Sequence, residues 1–205
     1  MSERRWFFED EDAVVRLREL AKRLHGTPFR PYSCAPGRDG GMDCVGMCEY
    51  VMAHVGVIGH LSFPRAPADY AGHLHNDKIL RYLRGQSNDS QSHTLANHFA
   101  EIPVSSLPVV AAVPAAKSLA GATPAATGLM AGDILLLKAE LPGVWHMPIM
   151  LDARNFFHCA APDGVTEADI EQHDYRKHVR AVFRARANCS GRRVACDPIA
   201  IATTP

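Results

Sequence analysis

An α+β fold, helices packed on a small antiparallel sheet, is what the sequence predicts, and three observations carry the prediction. An amphipathic helical pattern opens the chain. A second helical stripe follows a loop rich in glycine and proline, and after Ala131-Gly132-Asp133 the pattern shifts to short apolar runs separated by turn signals. The 205 residues, 47% of them hydrophobic, suffice for one domain with a real core.

The elements follow in order. From Asp10 to His25, Val14, Leu17, Ala21 and Leu24 recur at helical spacing, acids crowd the start, Lys22 and Arg23 sit near the end, and Gly26 stops the helix. Thr27 to Met42 holds Pro28, Pro31, Pro36-Gly37 and Gly40-Gly41 and must be a loop. Val45, Cys48, Val51, Met52 and Val55 then form a second stripe, with Asp43 as candidate N-cap, so Cys44 falls at a helix N-terminus. Short helices are expected over Ala68 to His75 and Asp77 to Leu83, before a polar run from Gly85 to Ser92. Pro103 to Gly128, rich in Ala, Pro and Val, reads as irregular. Strands are expected over Ile134 to Leu137, Trp145 to Leu151, Asn155 to Cys159 and Val179 to Arg186.

Lys plus Arg number 22 and Asp plus Glu 22, a formal net charge of zero. That argues against a broad electrostatic grip on nucleic acid or an anionic membrane. No stretch approaches the ~18 apolar residues of a membrane span. The opening Met1 to Asp12 lacks the apolar run and cleavage site of a secretory signal, so a protein made in the cytoplasm with reduced thiols is expected. Six cysteines are too sparse for a disulfide-built scaffold.

Eleven histidines and those six cysteines are the chemistry-bearing residues. A thiol attacks as thiolate, and a helix N-terminus lowers the cost of that charge. Cys44 has the position, while Cys48 falls one turn further on, on the apolar stripe. A nucleophilic cysteine needs a base, and imidazole suits both proton uptake and return. His146 opens one apolar strand and His158 lies in the next. A hairpin loop of three residues, with Leu151 opposite Asn155, sets His146 across from Ala160 and His158 diagonally on the same face; a two-residue loop sets the histidines on opposite faces. Register is therefore a direct test.

Taken in order, Gly26-Thr27-Pro28-Phe29, Gly41-Met42-Asp43-Cys44-Val45-Gly46, Gly132-Asp133-Ile134-Leu135, His146 and Phe156-Phe157-His158-Cys159-Ala160 resemble the successive motifs of the NlpC/P60 cysteine peptidases. The resemblance spans residues 10 to 186 and implies a papain-like α+β fold over a single catalytic domain, 1–205, with an insertion at about 58–130 and a short tail from about 187. It implies hydrolysis of peptide amide bonds in cell-wall peptidoglycan, typically one following a γ-linked D-glutamate, without a cofactor or metal. By matched motif, Cys44 is the implied nucleophile, His146 the base and His158 the orienting residue. The family's tyrosine in the Gly-x-Pro-Tyr segment is Phe29 here, with Tyr32 three residues on as a candidate substitute; Phe29, Tyr32, Asp43 and Trp145 are the implied oxyanion or substrate-binding residues. Asp-Cys-Val-Gly, Gly-Thr-Pro-Phe and Pro67-Ala68-Asp69-Tyr70 look like the phage-tail and gene-transfer-agent branch, whose members reach the wall within a particle.

Two other classes stay open: a noncatalytic tail or assembly protein that keeps the fold, and a thiol acyltransferase or deamidase using the same Cys-His chemistry. His73, His75, His93 and His98 match no zinc-ligand spacing, and Cys189 and Cys196 read as free thiols of a tail segment. Cys34 and Cys159 read as packing residues near the site.

Overall fold

The computed structural model describes residues 5–59, 62–63, 78–88, 90–106, 128–138, 145–172 and 175–187. Helix α1 spans Glu11–Leu24; the Asp10 side chain caps it by accepting from the Asp12 N–H, a device worth about 1 kcal/mol. Ala13, Leu17, Leu20, Ala21 and Leu24 form its buried stripe. Gly26, at φ 77°, takes the left-handed conformation that turns the chain out of the helix.

Two short strands, β1 (Cys34–Ala35) and β2 (Gly41–Met42), pair antiparallel and deliver the chain to helix α2, Cys44–Val55. Asp43 is its N-cap and Gly56, at φ 97°, its C-terminal stop. Helix α3 (Lys78–Leu83) and helix α4 (Ser90–Ala96) follow, the latter starting inside the run that reads from sequence as merely polar. The helix expected at 68–75 lies outside the described residues, as do the tail cysteines 189 and 196. Among the described residues no helix is long and apolar enough to cross a membrane.

The sheet is built from β3 (Phe99–Ile102), β4 (Ile134–Lys138), β5 (Trp145–His146), β6 (Ile149–Met150), β7 (Asn155–Ala160), β8 (Gly164–Asp169) and β9 (Val179–Ala185), with a short helix α5 (Tyr175–His178) before β9. Its order is β3-β9-β4-β6-β7-β8, β5 pairing with β4, and each pairing is antiparallel. Ile134 and Leu136 face the large core with Leu17, Met47, Val51 and Phe157, whereas Leu135 and Leu137 face a second cluster with Met150, Phe156 and Val182. Both faces of β4 are covered, which is why its sequence is a continuous apolar run.

The structure departs from the sequence reading in three places. The strand expected over 145–151 is two short strands, because Pro148 has no N–H to give a ladder; its carbonyl still accepts from the Leu135 N–H. Residues 99–102, for which the sequence pattern showed no element, form β3, an edge strand of the main sheet paired along β9 from Phe99↔Ala185 to Ile102↔Val182. And β8, with its unpatterned Gly-Val-Thr-Glu-Ala-Asp, is a strand the periodicity missed; its place is set by its ladder along β7, from Asn155↔Asp169 to Ala160↔Gly164.

The β8 start is locked against the loop after α1. Gly26 N donates to Val165 O and Val165 N to Thr27 O, and Gly164, at φ 73°, lies so close that a Cβ there would run into the Thr27 carbonyl oxygen. Behind the sheet, Arg184 and Asp133 form a buried bidentate pair at 2.7 Å, and Asp133 also accepts from Met130 N. Burial pushes the Asp133 carboxyl upward while Arg184 works against that shift. Removing either partner is expected to cost about 3–5 kcal/mol, because the other charge would be left buried and alone.

Candidate active site

The thiol side is built by local contacts at the start of α2. One carboxylate oxygen of the buried Asp43 accepts from Gly46 N at 2.7 Å, and the other accepts from Tyr32 N at 2.7 Å. The Asp43 N–H in turn donates to Ser33 O at 3.1 Å. One side chain thus caps the helix and ties the preceding loop to it. Gly46 is required by proximity, since a Cβ there would strike the Ser33 carbonyl oxygen. Cys44 stands at the first position of the helix, 3% exposed, where the helix dipole favours an anion.

The imidazole side is built by strand register. Ile149↔Phe157 and Met150↔Phe156 pair, and Leu151 N donates to Asn155 O at 2.7 Å, leaving the three-residue loop that puts both histidines on one face. The Asp152 side chain sets that loop by accepting from the N–H groups of Arg154 and Asn155, and Arg154 reaches Asp169 on β8 at 2.6 Å. His146 Nε2 and His158 Nδ1 then share a hydrogen bond of 2.8 Å, the rings nearly perpendicular at 80°. One ring donates and the other accepts, so the contact fixes a tautomer relation between them. Phe156 and Tyr175 pack edge-on to His158.

Burial pushes His146 down to about 3, with the neighbouring His158 adding to the shift. Burial lowers His158 too, opposed by the Asp163 carboxylate. Both imidazoles are therefore neutral at neutral pH.

Two sulfur contacts join the sides. Cys48 Sγ, one turn past Cys44, donates to the carbonyl of Met147, the residue after His146, at 3.2 Å. Cys159, the residue after His158, donates from Sγ to the carbonyl of Met42, two residues before Cys44, at 3.1 Å. One histidine-bearing segment is thus tied to α2 through Cys48 and the other to β2 through Met42, on either side of Cys44. Burial, then the neighbouring Cys44 and Asp43, holds the Cys48 thiol well above its ordinary range and the Cys159 thiol up at about 12. These two are hydrogen-bonded packing thiols at neutral pH.

The remaining candidate residues are placed as follows. Phe29 is half-buried and bridges to Met42, while Tyr32 is exposed with φ 61°, and its backbone N–H rather than its ring is what engages Asp43. Trp145 lies in β5 opposite Lys138. Cys34 is half-buried on β1. Among the described residues no group of three His, Cys, Asp or Glu is placed to hold a metal ion; His73 and His75 lie outside them. Sequence reasoning missed Phe156, Tyr175 and Thr166, whose Oγ1 lies 3.4 Å from His158 Nε2. The signal for Thr166 exists only in the β7–β8 register, where it stands directly across from His158.

No family model matches the chain, and no curated protein does. A solved structure does: a Staphylococcus aureus protein described as similar to a lipoprotein of the NLP/P60 family superimposes with a TM-score of 0.50 at 17% identity, over 90% of this chain and 45% of that one. The fold is the α+β fold of the NlpC/P60 proteins. This chain spans less than half the length of the staphylococcal one, and at that identity the likeness speaks for the fold alone.

Proposed function

We propose that this protein is a cysteine peptidase that hydrolyses peptide amide bonds of bacterial peptidoglycan, with a γ-D-glutamyl linkage as its bond. The observation that carries the reading is the 2.8 Å His146–His158 contact, whose neighbours Met147 and Cys159 are hydrogen-bonded to Cys48 in α2 and Met42 in β2, on either side of Cys44. In this reading His146 Nδ1, the nitrogen left over by the His158 contact, takes the Cys44 proton as sulfur adds to the amide carbonyl carbon. Burial keeps His146 neutral, so its Nδ1 lone pair is open to a proton, while the same burial weakens it as a base. The backbone N–H at the start of α2 stabilises the oxyanion, His146 returns the proton to the leaving amine, and water hydrolyses the acyl-enzyme. Tyr32, Phe29, Asp43 and Trp145 border the substrate, and no metal or cofactor takes part. The motif resemblance to the phage-tail and gene-transfer-agent branch supports delivery to the wall within a particle.

Incubation of the protein with purified muropeptides, followed by mass spectrometry, tests the reading: new fragments separated at the D-glutamate amide support it, and intact muropeptides oppose it. The burial of Cys44 favours one rival, a noncatalytic assembly protein that keeps the fold. Iodoacetamide separates the two, since an activated Cys44 alkylates well below the ordinary thiol pKa of about 8.5 and a packing thiol does not.

A further inference from the structure

We infer that Thr166 is a positioning residue that sets the tautomers of both histidines, extending the Cys44–His146–His158 arrangement by one member. For its catalytic consequence this rests on the peptidase reading; the tautomers themselves are observable without it.

The geometry is a chain across three strands. His146 Nε2 meets His158 Nδ1 at 2.8 Å, and His158 Nε2 meets Thr166 Oγ1 at 3.4 Å. Thr166 is the direct cross-strand partner of His158, so its hydroxyl is presented by the β7–β8 ladder rather than by a mobile loop. Phe156 and Tyr175 close edge-on around the His158 ring and limit its rotation.

The proton count follows from the base. For His146 Nδ1 to accept from Cys44 it must be bare, so His146 carries its hydrogen on Nε2 and donates to His158 Nδ1. His158 must then carry its hydrogen on Nε2 and donate to Thr166 Oγ1. A neutral imidazole has one N–H, so with the Thr166 hydroxyl, which can donate or accept, acting as acceptor for His158 Nε2, the bare nitrogen of each ring follows in turn. During attack one proton moves, from Cys44 Sγ to His146 Nδ1; the N–H bonds of His146 Nε2 and His158 Nε2 stay unbroken.

The test is long-range proton–nitrogen correlation NMR on the 15N-histidine-labelled full chain, comparing wild type, Thr166→Val and Thr166→Ser, with kcat and KM on a muropeptide measured in parallel. Expected are Nε2–H tautomers for His146 and His158 in the wild type and in Thr166→Ser. In Thr166→Val, His158 should move toward the Nδ1–H form, and kcat should fall about tenfold with KM unchanged. A wild-type His158 in the Nδ1–H form overturns the inference, and so does a Thr166→Val spectrum identical to wild type. A tautomer shift in a protein that cleaves no muropeptide upholds the role of Thr166 and defeats the peptidase reading instead.

Discussion

The two sides of the candidate site are held together by different means. Around Cys44 the contacts are short in sequence: Asp43 caps the helix that starts at the next residue, and its second oxygen reaches back to Tyr32. Around His146 and His158 the contacts are long: the rings meet because a three-residue loop sets the register of β6 on β7, with β8 tied to that loop through Arg154 and Asp169. A helix start can be specified by a handful of adjacent residues. A pair of imidazoles on one sheet face needs the whole hairpin to pair without a slip, since a shift of one residue sends a side chain to the opposite face. The thiol side should therefore be lost by single substitutions at the site, and the imidazole side also by changes in a loop away from it.

The largest effect is expected at the nucleophile. Cys44→Ala should lower peptidase turnover by about 10⁴-fold or more while circular dichroism and the thermal midpoint stay near wild type. Next comes the base: His146→Ala should cost on the order of 10³-fold in kcat, and His158→Ala about 10²-fold, because an orienting group is more dispensable than the group that moves the proton. On the thiol side, Asp43→Ala removes the cap and the tether to Tyr32 together, and urea denaturation should show a loss of about 1–2 kcal/mol.

An effect of similar size separates the sides by pH. Burial depresses His146 to about 3 and lowers His158, whereas both titrate near 6.5 when unfolded. The unfolded chain thus binds more protons below about pH 6.5, so the stability contributed by the neutral pair is complete above that value. It is lost as pH falls from there toward the folded-state value of His146. Between pH 7 and 5 the loss should be on the order of 1–2 kcal/mol, and His146→Gln should flatten the curve where Asp43→Ala should not.

The same contrast explains what was legible in the sequence. Helices α1 and α2 were readable because caps, stripe and stop signals all lie within the element, from Asp10 to Gly26 and from Asp43 to Gly56. The position of Cys44 came with them. The hairpin register was legible as a condition, three residues or two, and the Asp152 side chain is the local device that selects three. Strands β3 and β8 were not legible, since their places are decided by partners distant in sequence: Phe99 by Ala185, Gly164 by the carbonyl of Thr27. Thr166 was hidden for the same reason, and so was the Asp133–Arg184 pair, whose members are 51 residues apart.

The central claim is that Cys44 performs amide hydrolysis with the His146–His158 pair, and product analysis of muropeptide digests by wild type and Cys44→Ala tests it most directly. The account predicts fragments cut at the amide following D-glutamate from the wild type and none from the folded variant. Equal cleavage by both proteins, or intact muropeptides with both, would contradict it.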